Sequence, residues 1–218
     1  MTDGPDEPSI SRTVARIAAG LGLSLDEAAR SRIVRHASRV LGAGPELRLT
    51  AICDPRAFLA RHVGESLEGA SLIDPATRGA MLDLGSGNGY PGLPIAAARS
   101  GLTPYLAEAS RKKSAFLRSV IEVDFPGAVV LDRQIQRPAD LPADVRFAII
   151  VSRAMGNWER VVPRLVPCLV PGGRVLVWAG PAMESVSRRA TWSRLRPSGR
   201  RALTGRERSW IWAFDTVM

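Results

Sequence analysis

The sequence predicts an α/β fold, a mostly parallel sheet with helices on both faces, preceded by an N-terminal helical appendage. Three observations carry that prediction. From Ala80 onward, short apolar runs alternate with stretches of helical periodicity. One of those runs, Met81-Leu82-Asp83-Leu84, ends in alternating glycines, as a buried parallel strand does before a tight turn. From Ile10 to Leu41 the apolar positions instead recur at helical spacing, and Asp54-Pro55 opens a further helix. The predicted division is therefore a tail and helical appendage over 1–79 and a core over 80–218.

In chain order, residues 1–9 read as a frayed tail. Val14, Ile17, Ala18 and Leu21, then Ala28, Ile33, Val34, Ala37 and Leu41, fall on helical faces. Ser24 is placed to cap the second helix, with acids in its first turn, and Gly42-Ala43-Gly44-Pro45 stops it. Asp54 followed by Pro55 opens a third helix running through Leu67. Beyond Ala80 come strand Met81–Leu84, helix Leu93–Ser100, strand Thr103–Ala107, helix Arg111–Val123 and strand Ala128–Leu131. Strand Phe147–Val151, helix Trp158–Leu169 and strand Arg174–Ala179 follow. The end breaks the rhythm: helix Ala182–Leu195, an arginine-rich loop, then Arg208–Phe214 returning to the sheet edge as a hairpin with Arg201–Leu203. Trp210 and Trp212 alternate with Ile211, which fits a half-buried strand better than a base-stacking platform.

Composition narrows the function classes. A chain of 218 residues with 45% hydrophobic content builds a proper core. It has no apolar run long enough to span a bilayer, and its acidic N-terminus is not a secretory signal, so the cytoplasm is expected. Cys53 and Cys168 stand far apart, which predicts neither a disulfide framework nor a metal cluster. The net charge is +9, and 28 of the 30 basic residues are arginine. Residues 1–80 carry ten basic and ten acidic groups, residues 81–181 twelve and eight, residues 182–218 eight and three. A basic C-terminal third points to a polyanionic partner, most simply nucleic acid.

The sharpest motif is Asp83-Leu84-Gly85-Ser86-Gly87-Asn88-Gly89-Tyr90. Glycines at 85, 87 and 89 let the backbone turn tightly and approach a ligand with no Cβ in the way. Glu108 falls at the end of the next strand, where a carboxylate can accept both hydroxyls of a ribose. The spacing is not Gly-x-Gly-x-x-Gly, and no Lys-Ser/Thr pair follows, so neither a dinucleotide fingerprint nor a P-loop fits. Alternating glycines after an acid are the form met in S-adenosylmethionine (SAM) methyltransferases. Pro171-Gly172-Gly173-Arg174, before the strand Val175–Ala179, is a turn common in the same enzymes.

These residues resemble one family over roughly 48–214: the RsmG (GidB)-type methyltransferases, which make 7-methylguanosine in 16S ribosomal RNA. Leu49-Thr50-Ala51-Ile52 with Asp54-Pro55, then Arg61-His62 with Glu65-Ser66-Leu67, are similar to its segments. Gly85 through Pro94, with Pro91-Gly92-Leu93-Pro94, is the most specific piece. Glu108 through Leu117, Ser152-Arg153-Ala154 and Gly205-Arg206-Glu207-Arg208 follow in order. Three positions depart from the pattern: no tryptophan stands between Leu41 and Thr50, Arg48 replaces an asparagine, and Gln136 replaces a frequent glutamate. The first two fall where the appendage is expected to help hold RNA.

The resemblance implies a class I SAM-dependent, Rossmann-like core, with SAM as cofactor and ribosomal RNA or a 30S particle as partner, no membrane, and a monomer. Gly85, Ser86, Gly87 and Tyr90 would line the cofactor, Glu108 take its ribose, and Ile135 and Gln136 flank its adenine. Asp83 would reach the cofactor's amino group through water or hold the glycine turn. Arg153 would lie at the reacting end. No metal is expected. With both histidines, His36 and His62, in the N-terminal helices, no general base is expected beside the turn, and loss of either histidine or cysteine is expected to spare the chemical step. The rival readings are a small-molecule SAM methyltransferase, which needs no arginine-rich tail, and a non-catalytic RNA-binding paralogue. A nicotinamide dehydrogenase fits worst, on its glycine spacing.

Overall fold

The computed structural model describes residues 6–217; positions 1–5 of the expected tail lie outside the described residues. Residues 6–9, also expected in the tail, open a helix instead. Asp6 accepts the Ser9 amide at 3.0 Å and caps α1 (Glu7–Gly20). The cap of α2 (Glu27–Leu41) is Asp26, not Ser24, because its carboxylate reaches the Ala29 amide at 2.6 Å. Asp54 caps the next helix through the Ala57 amide at 2.6 Å, with Pro55 in the first turn as expected. That helix changes pitch along its length: α3 (Pro55–Phe58), a π-helical stretch Leu59–Gly64, then α4 (Glu65–Ala70). Such widened turns are rare and gather at functional sites.

Seven strands form one sheet: β1 (Gly79–Leu84), β2 (Leu102–Ala107), β3 (Val129–Leu131), β4 (Phe147–Arg153), β5 (Leu169–Ala179), β6 (Leu195–Ala202) and β7 (Trp210–Thr216). Between them run α5 (Gly92–Ala98), α6 (Arg111–Asp124), α7 (Trp158–Leu165) and α8 (Met183–Ser187). Their order is β3-β2-β1-β4-β5-β7-β6, parallel except for the pairings of β7. The chain order reverses between β1 and β4, which places a ligand crevice beyond their carboxyl ends.

The C-terminal third departs from the sequence reading. The helix expected over 182–195 is only the short α8 and a turn of 3-10 helix at Ala190–Trp192. The arginine-rich stretch is not a loop but β6, the edge strand; the hairpin with β7 exists and is much longer than expected. β7 is not at the edge, since it pairs with β5 on one side and β6 on the other. Pro171-Gly172-Gly173 lies inside β5 rather than before it, at a break in register where Gly172 adopts φ 74°. The exposed arginines of β6 and its proline explain the misreading: they are unlike a buried strand and suit an edge.

Alternation along the strands divides the core. Met81, Ile149, Val151, Leu176 and Ile211 face one cluster, with α1, α2, α4, α5 and α6 packed upon it. Leu82, Leu84, Ile150, Val177 and Phe214 face the other, under α7 and Trp192. The N-terminal helices thus share a continuous core with one face of the sheet. Arg35 adds an ion pair at 2.6 Å to the buried Asp124, tying α2 to α6.

Candidate functional site

The crevice is built at the end of β1. Gly85, Gly87 and Gly89 take φ of 73°, 58° and 93°, a region that side-chain-bearing residues rarely adopt. Both Gly85 and Ser86 donate their amides to the Ala107 carbonyl at 3.0 Å, locking the turn to β2. Asp83 is fully buried, and its Oδ2 accepts the Gly92 amide at 2.9 Å. It therefore holds the turn against the start of α5, one of the two roles foreseen for it. Burial pushes its carboxyl up to about 6, against the pull of the Gly92 amide. Its second oxygen, Oδ1, has no partner among the described residues. Glu108, past the end of β2, accepts the Gly87 amide through Oε2 at 2.9 Å and the Ser110 amide through Oε1 at 2.7 Å.

Ile135 is buried and Gln136 exposed, and both line a cleft of about 150 Å³ with Met155, Asn157 and Arg160. The loop following β4 turns with Ala154 and Asn157 at φ 56° and 62°. It lays Met155 over Gly85, where an added Cβ would meet the methionine at 3.2 Å. Met155 is a site-wall residue that sequence reasoning missed, and nothing in the local pattern announces its position. At Gly87 a Cβ would meet nothing nearer than 3.9 Å, so that glycine faces open space on the crevice side.

The Tyr90 ring lies beneath the turn. It stacks on His36 with ring centres 4.5 Å apart, and it meets Phe58 and His62 at 5.8 and 5.0 Å. Its hydroxyl is buried without a partner among the described residues, and burial raises its pKa. His36 donates from Nε2 to the Asn88 carbonyl at 2.7 Å, and Asn88 donates to the Leu49 carbonyl at 2.9 Å. The expectation that no histidine lies beside the turn is thus overturned: both belong to the N-terminal helices in sequence, and both fold back against it. Burial pulls His36 down to about 4 and His62 to about 3, so both are neutral near pH 7.

Arg153 is the last residue of β4 rather than following it. It is not a surface arginine. Its side chain is 12% exposed, with Nη1 donating to the Arg61 carbonyl at 2.9 Å and Nη2 to His62 Nδ1 at 2.8 Å. Glu65, almost wholly buried, gathers three guanidinium groups: Arg206 at 3.2 Å, Arg153 at 3.5 Å and Arg61 at 3.6 Å. Burial lowers the Arg153 pKa and the Glu65 charge raises it. Glu68 accepts the Thr204 amide at 3.1 Å, so the Gly205-Arg206-Glu207-Arg208 loop docks on α4 beside the crevice. His62, Thr50 and Glu65 lay in segments the sequence singled out; their convergence on Arg153 depends on a helix pitch that no pattern revealed.

The open turn, the strand-end carboxylate and the orphaned Asp83 oxygen fit an adenosine-bearing ligand. Among the described residues no group of three or more His, Cys, Asp or Glu could hold a metal ion, and no helix is long and apolar enough to cross a membrane.

Comparison with known proteins places the chain in a family. The family described as rRNA small subunit methyltransferase G matches residues 29–193. A ribosomal RNA small subunit methyltransferase G of Sorangium cellulosum is 32% identical over 176 residues, covering 80% of this chain and 74% of the relative. One from Anaeromyxobacter dehalogenans is 37% identical over 163 residues, covering 73% and 74%. Among solved structures, a ribosomal protein L11 methylase of Lactobacillus delbrueckii superposes with a TM-score of 0.58 at 15% identity, over 72% of this chain and 80% of that one. MtNAS in complex with MTA and tNA gives 0.58 at 14% identity, over 97% and 76%. At that identity the structural likeness speaks to the fold alone, which is that of class I methyltransferases.

Proposed function

Since this chain belongs to the rRNA small subunit methyltransferase G family and is therefore an rRNA methyltransferase, we propose that it transfers a methyl group from SAM to the 7-position nitrogen of a guanine in 16S ribosomal RNA. The observation that carries the cofactor assignment is the pairing of Glu108 with the Gly87 amide at the topological switch point. The same reading puts the protein in the cytoplasm on ribosomal RNA or a 30S particle. The same reading takes the protein as a monomer.

When bound, SAM supplies an electrophilic methyl on a sulfonium. Gly85 and Gly87 would offer it bare backbone, Ser86 and Tyr90 would brace the turn from within, and Glu108 would accept the ribose hydroxyls. Ile135 would pack against the adenine, with Gln136 at its edge. Asp83 keeps the turn in place through Gly92 and has one oxygen left for a water or an ammonium. Arg153, permanently able to donate, would orient the guanine by an acceptor on its edge.

No proton need leave the nucleophile, because the 7-position nitrogen carries a free lone pair. His62 is unsuited to act as a base in any case: Nδ1 already accepts from Arg153. Placement alone can lower a barrier by up to ~7–11 kcal/mol in favourable systems. The test is methyl transfer from labelled SAM to 30S subunits lacking the modification, with nucleoside mass spectrometry of the product. A 7-methylguanosine signal supports the reading; methyl incorporation at any other atom, or into protein, overturns it.

A further inference from the structure

Arg153 is held from the N-terminal helices, and the way it is held has a direction. Its Nη2 donates to His62 Nδ1 at 2.8 Å. Arginine has no lone pair to offer, so Nδ1 must be the bare nitrogen of the imidazole. The ring proton is then on Nε2, which faces Thr50 Oγ1 at 3.1 Å. Thr50 Oγ1 in turn accepts the Ile52 amide at 3.0 Å. Arg153 thus sets the tautomer, and the Thr50 hydroxyl, able to donate or accept, receives the Nε2 proton. The ring itself is seated between Phe58 and Tyr90, with centres 4.7 and 5.0 Å away. It stands in the π-helical stretch, one turn before Glu65.

Glu65 does not supply the same constraint. It is shared among Arg61, Arg153 and Arg206, and its approach to Arg153 is 3.5 Å. It provides charge to a buried guanidinium, while the Arg61 carbonyl and the His62 lone pair provide direction.

The geometry points to His62 as a positioning residue, whose neutral Nδ1 fixes the Arg153 guanidinium at the end of β4 in the orientation that meets the substrate base. This rests on the role given to Arg153 above. It also replaces the expectation that losing His62 spares the chemical step. His62 touches neither substrate nor cofactor in this assignment; it acts through Arg153.

A double-mutant cycle separates that role from a general contribution to folding. His62→Phe keeps an aromatic ring between Phe58 and Tyr90 and removes the acceptor. His62→Asn returns an acceptor near the Nδ1 position. Single-turnover transfer from labelled SAM to 30S subunits is measured for these two variants, for Arg153→Ala and for the His62→Phe/Arg153→Ala double variant. Thermal unfolding and SAM calorimetry accompany each. His62→Phe should slow transfer roughly 10- to 100-fold, the scale of one hydrogen bond to a charged group, and His62→Asn should recover most of that loss. In the Arg153→Ala background, His62→Phe should add no more than about twofold, because the partner it serves is gone. In an NMR spectrum of the imidazole nitrogens, the parent protein should show the Nε2–H tautomer and Arg153→Ala a tautomer mixture.

A normal rate for His62→Phe beside a slow Arg153→Ala overturns the proposal and leaves the Arg153 role standing. So does a double variant in which the two losses multiply, or an Nδ1–H tautomer in the parent. A normal rate for Arg153→Ala overturns the Arg153 role itself. Should His62→Phe fail to fold, Thr50→Val takes its place in the cycle: it removes the acceptor of the Nε2 proton and with it one anchor of the ring, and the same comparison with Arg153→Ala decides.

Discussion

Glu108 and Gly87 are joined by a hydrogen bond of 2.9 Å that ties the end of β2 to the turn following β1. The carboxylate is thereby anchored to the turn, with Ser110 fixing its other oxygen. Replacing Glu108 by Ala should weaken SAM binding by about 1–3 kcal/mol, the scale of charged hydrogen bonds to a ligand. Calorimetry reads the change directly. Unaltered affinity would remove Glu108 from the cofactor site.

The arginines of the sheet edge are not equivalent to those at the crevice. Arg200 pairs with Glu184 at 2.8 Å and lies over the Trp210 and Trp212 rings at 5.3 and 5.1 Å. Arg111 and Lys112, at the start of α6, are exposed and in no ion pair among the described residues. They oppose the helix dipole and stand beside Glu108 and Ser110, where a phosphate would relieve them. Arg111→Ala with Lys112→Ala should therefore reduce the salt dependence of RNA binding by about 0.7–0.9 in slope per lost contact. Arg200→Ala should leave that slope unchanged and cost about 0.5–1 kcal/mol of stability. Filter binding across a salt series, with urea denaturation alongside, distinguishes them; equal slopes for both variants would refute the distinction.

Acid should loosen the fold through its histidines. An unfolded imidazole titrates near 6.5, while His36 is held near 4 and His62 near 3. Below pH 6.5 the unfolded chain takes up protons that the folded chain refuses, so stability present above that value is lost as pH falls. Asp83 has the opposite sign: between 3.8 and about 6 the folded carboxyl holds a proton that the unfolded one lacks, which favours the fold as pH falls. Two groups act against one, so the histidines outweigh the carboxyl. Urea denaturation should show a loss of about 2 kcal/mol from pH 7 to pH 5. His36→Phe, which keeps the stack on Tyr90, should flatten the curve. A parent curve level over that interval would rule out the buried neutral histidines.

Gly69 in α4 is a close-approach position. A Cβ there would sit 2.6 Å from two atoms of the Trp178 indole, which lies buried on β5. Gly69→Ala should cost about 1–3 kcal/mol by overpacking, although alanine is the better helix former. Adding Trp178→Phe should recover part of the loss. An unchanged urea midpoint for Gly69→Ala would contradict the packing described.

Much of this was legible because backbone rules act locally. The Asp54–Pro55 helix start, the strand ending in Gly85 and the α5, β2 and α6 succession each follow from a cap, a glycine turn or a period. Glu108 was legible for the same reason, being fixed by its place at a strand end. Arg153 was readable as a strand-end residue, yet its partners were not, since His62 and Arg61 stand 91 and 92 positions away. The C-terminal misreading has a physical cause as well. Leu195–Ala202 is polar because it is an edge, and its pairing with β7 rather than any pattern of its own makes it a strand.

Placing β7 between β5 and β6 also sets a schedule for making the protein. A ribosome delivers β5 and β6 first, and each then has an open edge awaiting the same later segment. Trp212 and Phe214, which complete one half of the interior, arrive with that segment. A nascent chain stalled before Trp210 would therefore present two unpaired edges and an uncovered apolar face, the features that draw chaperones and seed aggregation. Most of the crevice precedes β7 in the chain, but the sheet that holds it rigid closes last.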